Sequence, residues 1–91
     1  MANAHESDIT PPSDIELEEM IDEVHYWRIG STTTICTIIL HSGFTITETS
    51  ASLSRAAFDE QMGREIAREK CLDMLRAYEC YARARDTLRS E

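Results

Sequence analysis

The 91-residue chain carries 17 acidic against 9 basic side chains, a formal net charge of −8 at pH 7. A chain of this length makes one small domain that buries only about two-thirds of the surface of its unfolded form, so we expect self-association to add burial. The negative charge disfavours nucleic acids and anionic membranes as partners. No apolar run approaches the roughly 20 residues of a membrane span, and the polar N-terminus lacks a secretory signal. We therefore expect a cytoplasmic protein.

The N-terminal part predicts a tail followed by a helix. Residues 1–12 are polar and acidic and end in two prolines, which predicts a flexible acidic tail, and residues 13–91 predict a single domain. Ser13 and Glu16 have the spacing of a capping box, in which each side chain accepts a hydrogen bond from the other residue's backbone. Apolar residues then recur at helical spacing, so we predict a first helix over residues 14–23.

The negative charge lies almost entirely in the first third of the chain. A strongly acidic surface favours basic protein partners, and an array of carboxylates can imitate phosphates and occupy a nucleic-acid groove of another protein. The simpler interpretation is a solvated helix face that keeps a small protein soluble. The acidic candidates for partner binding are Asp14, Glu18, Glu19, Asp22 and Glu23.

Three strands are predicted next. Residues 24–29 are rich in aromatic and β-branched types, and Gly30 turns the chain into a second strand over residues 32–40. A turn that contains Gly43 leads to a third strand over residues 44–49. The second strand carries apolar residues on both faces. Helices would cover one face, and so short a chain can hardly supply a cover for the other.

Threonines recur at alternate positions of the second and third strands. They predict a cross-strand ladder formed by Thr33, Thr37, Thr45, Thr47 and Thr49. Regular threonine arrays also order water on ice-binding surfaces, but threonine suits a pleated, half-exposed surface for packing reasons alone.

The last segment predicts one long helix from Arg55 to about Leu88, with Ser54 as its N-cap. If it is continuous, roughly 34 residues extend about 50 Å. A compact domain of this size has a diameter of only about 30 Å. Either the helix breaks near Gly63, or its C-terminal turns pack on a second copy of the chain.

Tyr78 and Tyr81, in the apolar stripe of this helix, are candidates for partner binding. Aromatic side chains concentrate at protein interfaces because they bury a large area at a low entropic cost. The alternative is that both tyrosines pack on the first helix of the same subunit. The complete stripe is Ile66, Ala67, Cys71, Met74, Leu75, Tyr78, Tyr81 and Ala82.

Together these elements predict an α+β fold in the order α-β-β-β-α. A short N-terminal helix precedes a three-stranded antiparallel sheet. The long C-terminal helix packs on that sheet, and we expect it to pack on a second subunit of a homodimer as well.

Motifs for catalysis, cofactors and metals are missing from the sequence. The three histidines fall on the tail, a strand and a turn, and the chain has no HxxxH, CxxC, P-loop or GxGxxG pattern. We therefore expect no enzyme activity, no cofactor and no metal site. The arginines of the long helix each have an acid nearby, so direct nucleic-acid binding is not expected either.

Three cysteines, an odd number without metal or redox spacing, indicate free thiols in a reducing compartment. If Cys71 and Cys80 share a helix, their nine-residue separation rotates them by about 900°, onto opposite sides, so they cannot pair there. Buried thiols that behave as small apolar groups are the expected state.

The block from Thr32 to Gly63 resembles a small tailed-phage family named after the gene-49 and gene-66 products of two podoviruses. The family pattern is a threonine-rich strand with a central cysteine, then N-G-F-T-V, G-E-S-A-C, F-D and a glycine that opens the long helix. The matching residues are Thr32, Thr33, Thr34, Cys36, Leu40, Gly43, Phe44, Thr45, Ile46, Ser50, Ala51, Phe58, Asp59 and Gly63, and Tyr26 resembles the family's tyrosine. Residues 48–52 read E-T-S-A-S, so chemistry that depends on the family's glutamate and second cysteine is not carried over.

This resemblance implies a phage accessory protein in the cytoplasm of an infected host cell. Combined with small size, acidity and the absence of catalytic motifs, it favours a non-enzymatic, dimeric protein that binds and inhibits a host protein. A defence system such as CRISPR, or a nucleic-acid-processing machine, would be the target. The alternatives are a sponge that binds a nucleotide signal at a dimer interface, and a purely structural or interaction module.

Overall fold

A computed structural model describes residues 10–89. The chain order is α-β-β-β-α, and the α+β fold is the predicted one. The elements are α1 (Asp14–Glu19), β1 (Ile21–Ile29), β2 (Thr33–Leu40), β3 (Thr45–Ala51) and α2 (Glu60–Arg89). Residues 1–9 of the predicted tail lie outside the described residues. Pro12, which the prediction also assigned to the tail, is buried.

The capping box at the start of α1 is confirmed. The backbone N–H of Glu16 donates to Ser13 Oγ at 3.1 Å, and the backbone N–H of Ser13 donates to Glu16 Oε1 at 3.1 Å. The predicted end of this helix is wrong, because α1 stops at Glu19 and β1 already begins at Ile21. Ile21 pairs with Leu40 of β2, so the hydrogen bonds of the sheet replace those of a further helical turn.

The three strands form an antiparallel sheet in the order β1-β2-β3, with β2 in the centre. Both connections are tight turns that use glycine at positive φ, +65° at Gly30 and +93° at Gly43. Thr37 and Thr47 face each other across β2 and β3, with their hydroxyls 2.7 Å apart, as the threonine ladder predicts. Near the start of β1 the register shifts between Ile21 and Glu23, so β1 carries a bulge there.

The two faces of the sheet have different environments. Alternate residues of β2, beginning at Thr34, are buried under the helices. The core consists of Leu17, Cys36, Ile38, Leu40, Ile46, Ala67, Cys71 and Leu75. No described element covers the other face, and we call it the open face. By strand alternation and register it comprises Glu23, His25, Trp27, Ile29, Thr33, Ile35, Thr37, Ile39, Thr45, Thr47, Thr49 and Ala51.

The long helix begins five residues later than predicted, at Glu60. Its N-cap is Asp59, whose carboxylate accepts the backbone N–H of Met62 at 3.0 Å, and not Ser54. Ser54 instead starts a separate turn. Between this turn and the helix, the ring centroid of Phe58 lies 4.1 Å from the guanidinium carbon of Arg28 on β1. The segment before α2 therefore contacts the sheet.

Gly63 does not break α2, which runs without interruption for 30 residues. A Cβ at Gly63 would lie 2.5 Å from Thr34 Oγ1 and 3.3 Å from Thr34 Cβ. The glycine therefore allows the helix to approach the central strand closely. Of the two predicted alternatives, the break is wrong.

The length of α2 makes the molecule elongated. The principal extents are 54 × 30 × 18 Å and the Cα radius of gyration is 16.5 Å, against about 12 Å for a compact domain of this size. The last turns of α2 run past the sheet beside the N-terminal segment, where Arg83 donates to the carbonyl of Thr10 at 3.0 Å. Packing of these turns on a second subunit remains a prediction. In the described part of the chain, neither helix is both long and apolar enough to cross a membrane.

Candidate interaction surfaces

The acidic face of α1 is paired with arginines of α2. Arg68 donates to both carboxylate oxygens of Glu18, at 2.8 and 2.6 Å, and Arg76 donates to Asp14 at 2.9 Å. Hydrogen bonding by Arg68 lowers the pKa of Glu18. Two of the predicted partner-binding acids, Asp14 and Glu18, thus hold α1 against α2 within one subunit.

Arg83 extends this row of arginines. It donates to Glu16 at 2.8 Å and to Glu79 of its own helix at 3.2 Å, and its hydrogen bond lowers the pKa of Glu16. Arg68, Arg76 and Arg83 are eight and seven residues apart, so they share one flank of the helix. That spacing is visible in the sequence and could have indicated a strip of arginines opposite an acidic partner.

The remaining three acids lie at the edges of the structure. Glu19 is exposed at the end of α1. Glu23 Oε1 lies 3.0 Å from His25 Nε2, and Asp22 Oδ1 lies 3.7 Å from His41 Nδ1. These acids remain accessible to a partner.

Both predicted tyrosines are exposed and belong to an aromatic cluster. Tyr78 is 48 % exposed and Tyr81 is 68 % exposed. The ring of Tyr78 makes an edge-on contact with Phe44, with 5.6 Å between centroids and 87° between planes. Met74 is 37 % exposed and precedes Tyr78 by one helical turn. We call Phe44, Met74, Tyr78 and Tyr81 the aromatic patch.

The aromatic patch brings a turn of the sheet next to α2. Tyr78 contacts Phe44 of the turn between β2 and β3, and its role in partner binding stays a prediction. Phe44 was not among the predicted site residues. The only signal for it in the sequence is a large apolar residue next to a predicted turn.

The acids and the tyrosines do not form one surface. Tyr81 precedes Arg83 by two residues, which is about 200° around the helix. Arg83 binds Glu16 of α1, so Tyr81 lies on the opposite flank of α2 from that helix. Asp14 and Glu18 therefore lie on one flank of α2 and Tyr81 on the other, while Asp22 and Glu23 belong to β1 of the sheet.

The thiols of the core are placed for packing. Cys36 and Cys71 are both fully buried, and Cys71 Sγ donates to the carbonyl of Cys36 at 3.4 Å. Burial raises the pKa of Cys71 to about 12 and also raises the pKa of Cys36. A neutral thiol is a poor nucleophile, so neither group is activated for chemistry. Among residues 10–89, no three His, Cys, Asp or Glu side chains converge as metal ligands would.

A small apolar cavity of about 170 Å³ lies between the end of β3 and the start of α2. Ser50, Ala51, Phe58, Met62 and Ile66 are among its lining residues. Ligand pockets are usually about 300–1,000 Å³. Within one subunit the cavity is therefore too small for a nucleotide.

A comparison with known protein families gave one match. The model of the family described as "Phage protein (N4 Gp49/phage Sf6 gene 66) family" matches residues 10–86. No curated protein and no solved structure matches the chain. The matched range contains the Thr32–Gly63 block and begins before α1, so it includes every element up to the last turn of α2.

Proposed function

The chain belongs to the phage protein family of N4 Gp49 and phage Sf6 gene 66, and we propose that it is an accessory protein that binds and inhibits a host protein without catalysing a reaction. The proposed site of action is the cytoplasm of the infected cell. The proposed target is a component of a defence system or of a nucleic-acid-processing machine.

The observation that carries this proposal is the aromatic patch. Three aromatic rings and a methionine are adjacent on the surface, and each is more than one-third exposed. Large apolar groups that are exposed singly are normal, whereas adjacent ones indicate an interaction site. Tyr, Phe and Met are also the types enriched in the buried centres of protein interfaces. We therefore place the host protein on this patch.

The acids have a secondary role in this proposal. Asp14 and Glu18 are bound to arginines of α2, so an array of free carboxylates that imitates nucleic acid is not supported along α1. Glu19, Asp22 and Glu23 remain for the rim of an interface, where charges change the association rate more than the affinity. The complex should therefore lose little affinity when salt is raised, unlike a charge mimic.

The test combines capture with a matched substitution. The tagged protein is incubated with host lysate, the captured protein is identified by mass spectrometry, and its affinity is measured by calorimetry with both purified components. Tyr81→Ala should weaken binding at least tenfold, because exposed tyrosines at interface centres are typical binding hot spots. Met62→Ala is the control, since Met62 is 56 % exposed at the other end of α2. The wild-type complex should also suppress the activity of the captured protein.

Two results would refute this assignment. The first is that Tyr81→Ala binds the host protein as tightly as the wild type does, while the double variant Glu19→Gln/Glu23→Gln loses binding. The host protein would then bind the acidic side chains and not the aromatic patch. Failure to capture any protein, together with a rise in melting temperature on adding a cyclic nucleotide, would favour the sponge function.

A further inference from the structure

The open face of the sheet exposes large apolar side chains on the side away from the helices. Trp27 and Ile29 of β1 are 52 % and 59 % exposed. On the central strand Ile35 pairs with Trp27 and Ile39 pairs with Glu23, and both isoleucines are half-buried. An antiparallel sheet can keep one face in water when that face is polar. This face is half apolar, so water is a poor environment for it.

The open face also carries few titratable groups. Of its twelve residues, only Glu23 and His25 are titratable, and they are bonded to each other at 3.0 Å. The rest are threonines, apolar side chains and one alanine. The molecule as a whole has a net charge of −8, so a surface that spans the whole sheet with a single acidic side chain is a distinct region of it.

We propose that a second copy of the chain covers the open face, so that two sheets pack face to face in a homodimer with α1 and α2 on the outside. The surface is separate from the aromatic patch. It also differs from the C-terminal turns of α2, which the sequence indicated as the dimer contact. Those turns are partly covered within the subunit by the segment that contains Thr10 and Glu16.

Electrostatics favours this arrangement over other dimers of the same chain. Facing sheets are about 10 Å apart, and a helix layer adds about 10 Å on each outer side, so the two charged helix layers would lie about 30 Å apart. The Debye length is about 8 Å at physiological ionic strength, which screens repulsion over that distance. A dimer through the helices would instead bring two negatively charged layers into contact.

The size of the open face sets the expected strength. Strands of 9, 8 and 7 residues with a rise of about 3.3 Å and a spacing of about 4.8 Å have a projected area of roughly 380 Å². Stable interfaces bury about 800 Å² on each partner. The dimer should therefore be weak and should form only as the protein concentration rises.

The experiment uses the purified full-length protein alone, so its result does not depend on the proposed host interaction. Light scattering after gel filtration gives the molar mass over a concentration series from about 1 µM to 1 mM. Trp27 is the only tryptophan, so its emission wavelength and its quenching by acrylamide report directly on the open face. We expect the mass to rise from 10.4 kDa towards twice that value, with a blue shift and reduced quenching.

Thr47→Lys places two like charges in the interface and should keep the protein monomeric with Trp27 exposed. Gln61→Lys is the control, because it adds the same charge at an exposed position of α2. Both variants should melt within a few degrees of the wild type, since surface substitutions change stability by only about 0.5 kcal/mol. Tyr81→Ala should leave the dimer unchanged.

Three results would each overturn the proposal. The first is a monomer at every concentration. The second is a dimer that Thr47→Lys does not dissociate, because the contact would then lie elsewhere. The third is quenching of Trp27 that falls only when a host protein is added, which would assign the open face to that partner.

Discussion

Replacing Gly63 by alanine tests whether α2 really touches the central strand. On a solvent-exposed helix this change stabilises by about 1 kcal/mol, because alanine is the better helix former. Here the new Cβ would lie 2.5 Å from Thr34 Oγ1 and 3.3 Å from Thr34 Cβ. Thr34 is 4 % exposed on the middle strand and its β-branched side chain is stiff. The helix must therefore move away from the sheet.

The magnitude follows from two opposing terms. Adding a methyl group to a packed contact typically costs about 1–3 kcal/mol, which exceeds the gain in helix propensity. We expect a net loss of up to about 2 kcal/mol, or up to roughly 15 °C in melting temperature for a domain of this size. Denaturant unfolding followed by circular dichroism at 222 nm measures the free energy of unfolding.

A double-mutant cycle identifies the cause of the loss. Thr34→Ala removes the closest atom, and the Thr34 hydroxyl has no hydrogen-bond partner among residues 10–89 that it would leave unpaired. In that background Gly63→Ala should be neutral or stabilising, with a coupling of about 1–3 kcal/mol between the two sites. The close contact is refuted if Gly63→Ala alone stabilises the protein, or if its effect is the same in both backgrounds.

Two further predictions concern titratable groups. Arg68 lowers the pKa of Glu18. The hydrogen-bonded Glu18 carboxylate therefore stabilises the folded state above the unfolded-state pKa of about 4.3, and this stabilisation is lost as the pH falls below that value. The melting temperature should therefore fall more steeply below about pH 4 in the wild type than in Arg68→Gln, and parallel curves would contradict this. Since burial raises the pKa of Cys71 to about 12, Ellman's reagent should label Cys80 first in the native protein and reach Cys36 and Cys71 only on unfolding. Fast labelling of all three thiols in the native protein would contradict the burial. The free energy of unfolding should also decline above about pH 9, where the Cys71 thiol ionises in the unfolded state but keeps its proton in the folded state.

Local patterns predicted the start of α1 and the two turns between the strands well. The capping box at Ser13 and the turns at Gly30 and Gly43 depend on hydrogen bonds or backbone angles within a few residues. The two helix boundaries that were wrong depend on distant partners. α1 ends at Glu19 because β1 pairs with β2, and the segment before α2 includes Phe58, which contacts Arg28 of β1.

The candidate interaction surfaces show the same difference between what local patterns predict and what distant contacts decide. The sequence left open whether Tyr78 and Tyr81 face a partner or pack on the first helix, and both are exposed in the structure. Phe44 contacts Tyr78 because the turn between β2 and β3 lies beside α2. The acids of α1 were open to several interpretations. The structure pairs Glu18 with Arg68 and Asp14 with Arg76 within the subunit and leaves Glu19 exposed.

The sequence by itself determined the order of the elements, the two glycine turns and a central strand that is apolar on both faces, because each is a matter of local spacing and residue type. The tertiary structure decided which face stays open, why Gly63 is tolerated in a helix, and which acids are neutralised. These features depend on contacts between residues far apart in the chain, such as Glu18 and Arg68, which are 50 positions apart. The packing of α2 across the sheet brings these two residues together. A pattern of neighbouring residues cannot predict a contact over so large a sequence separation.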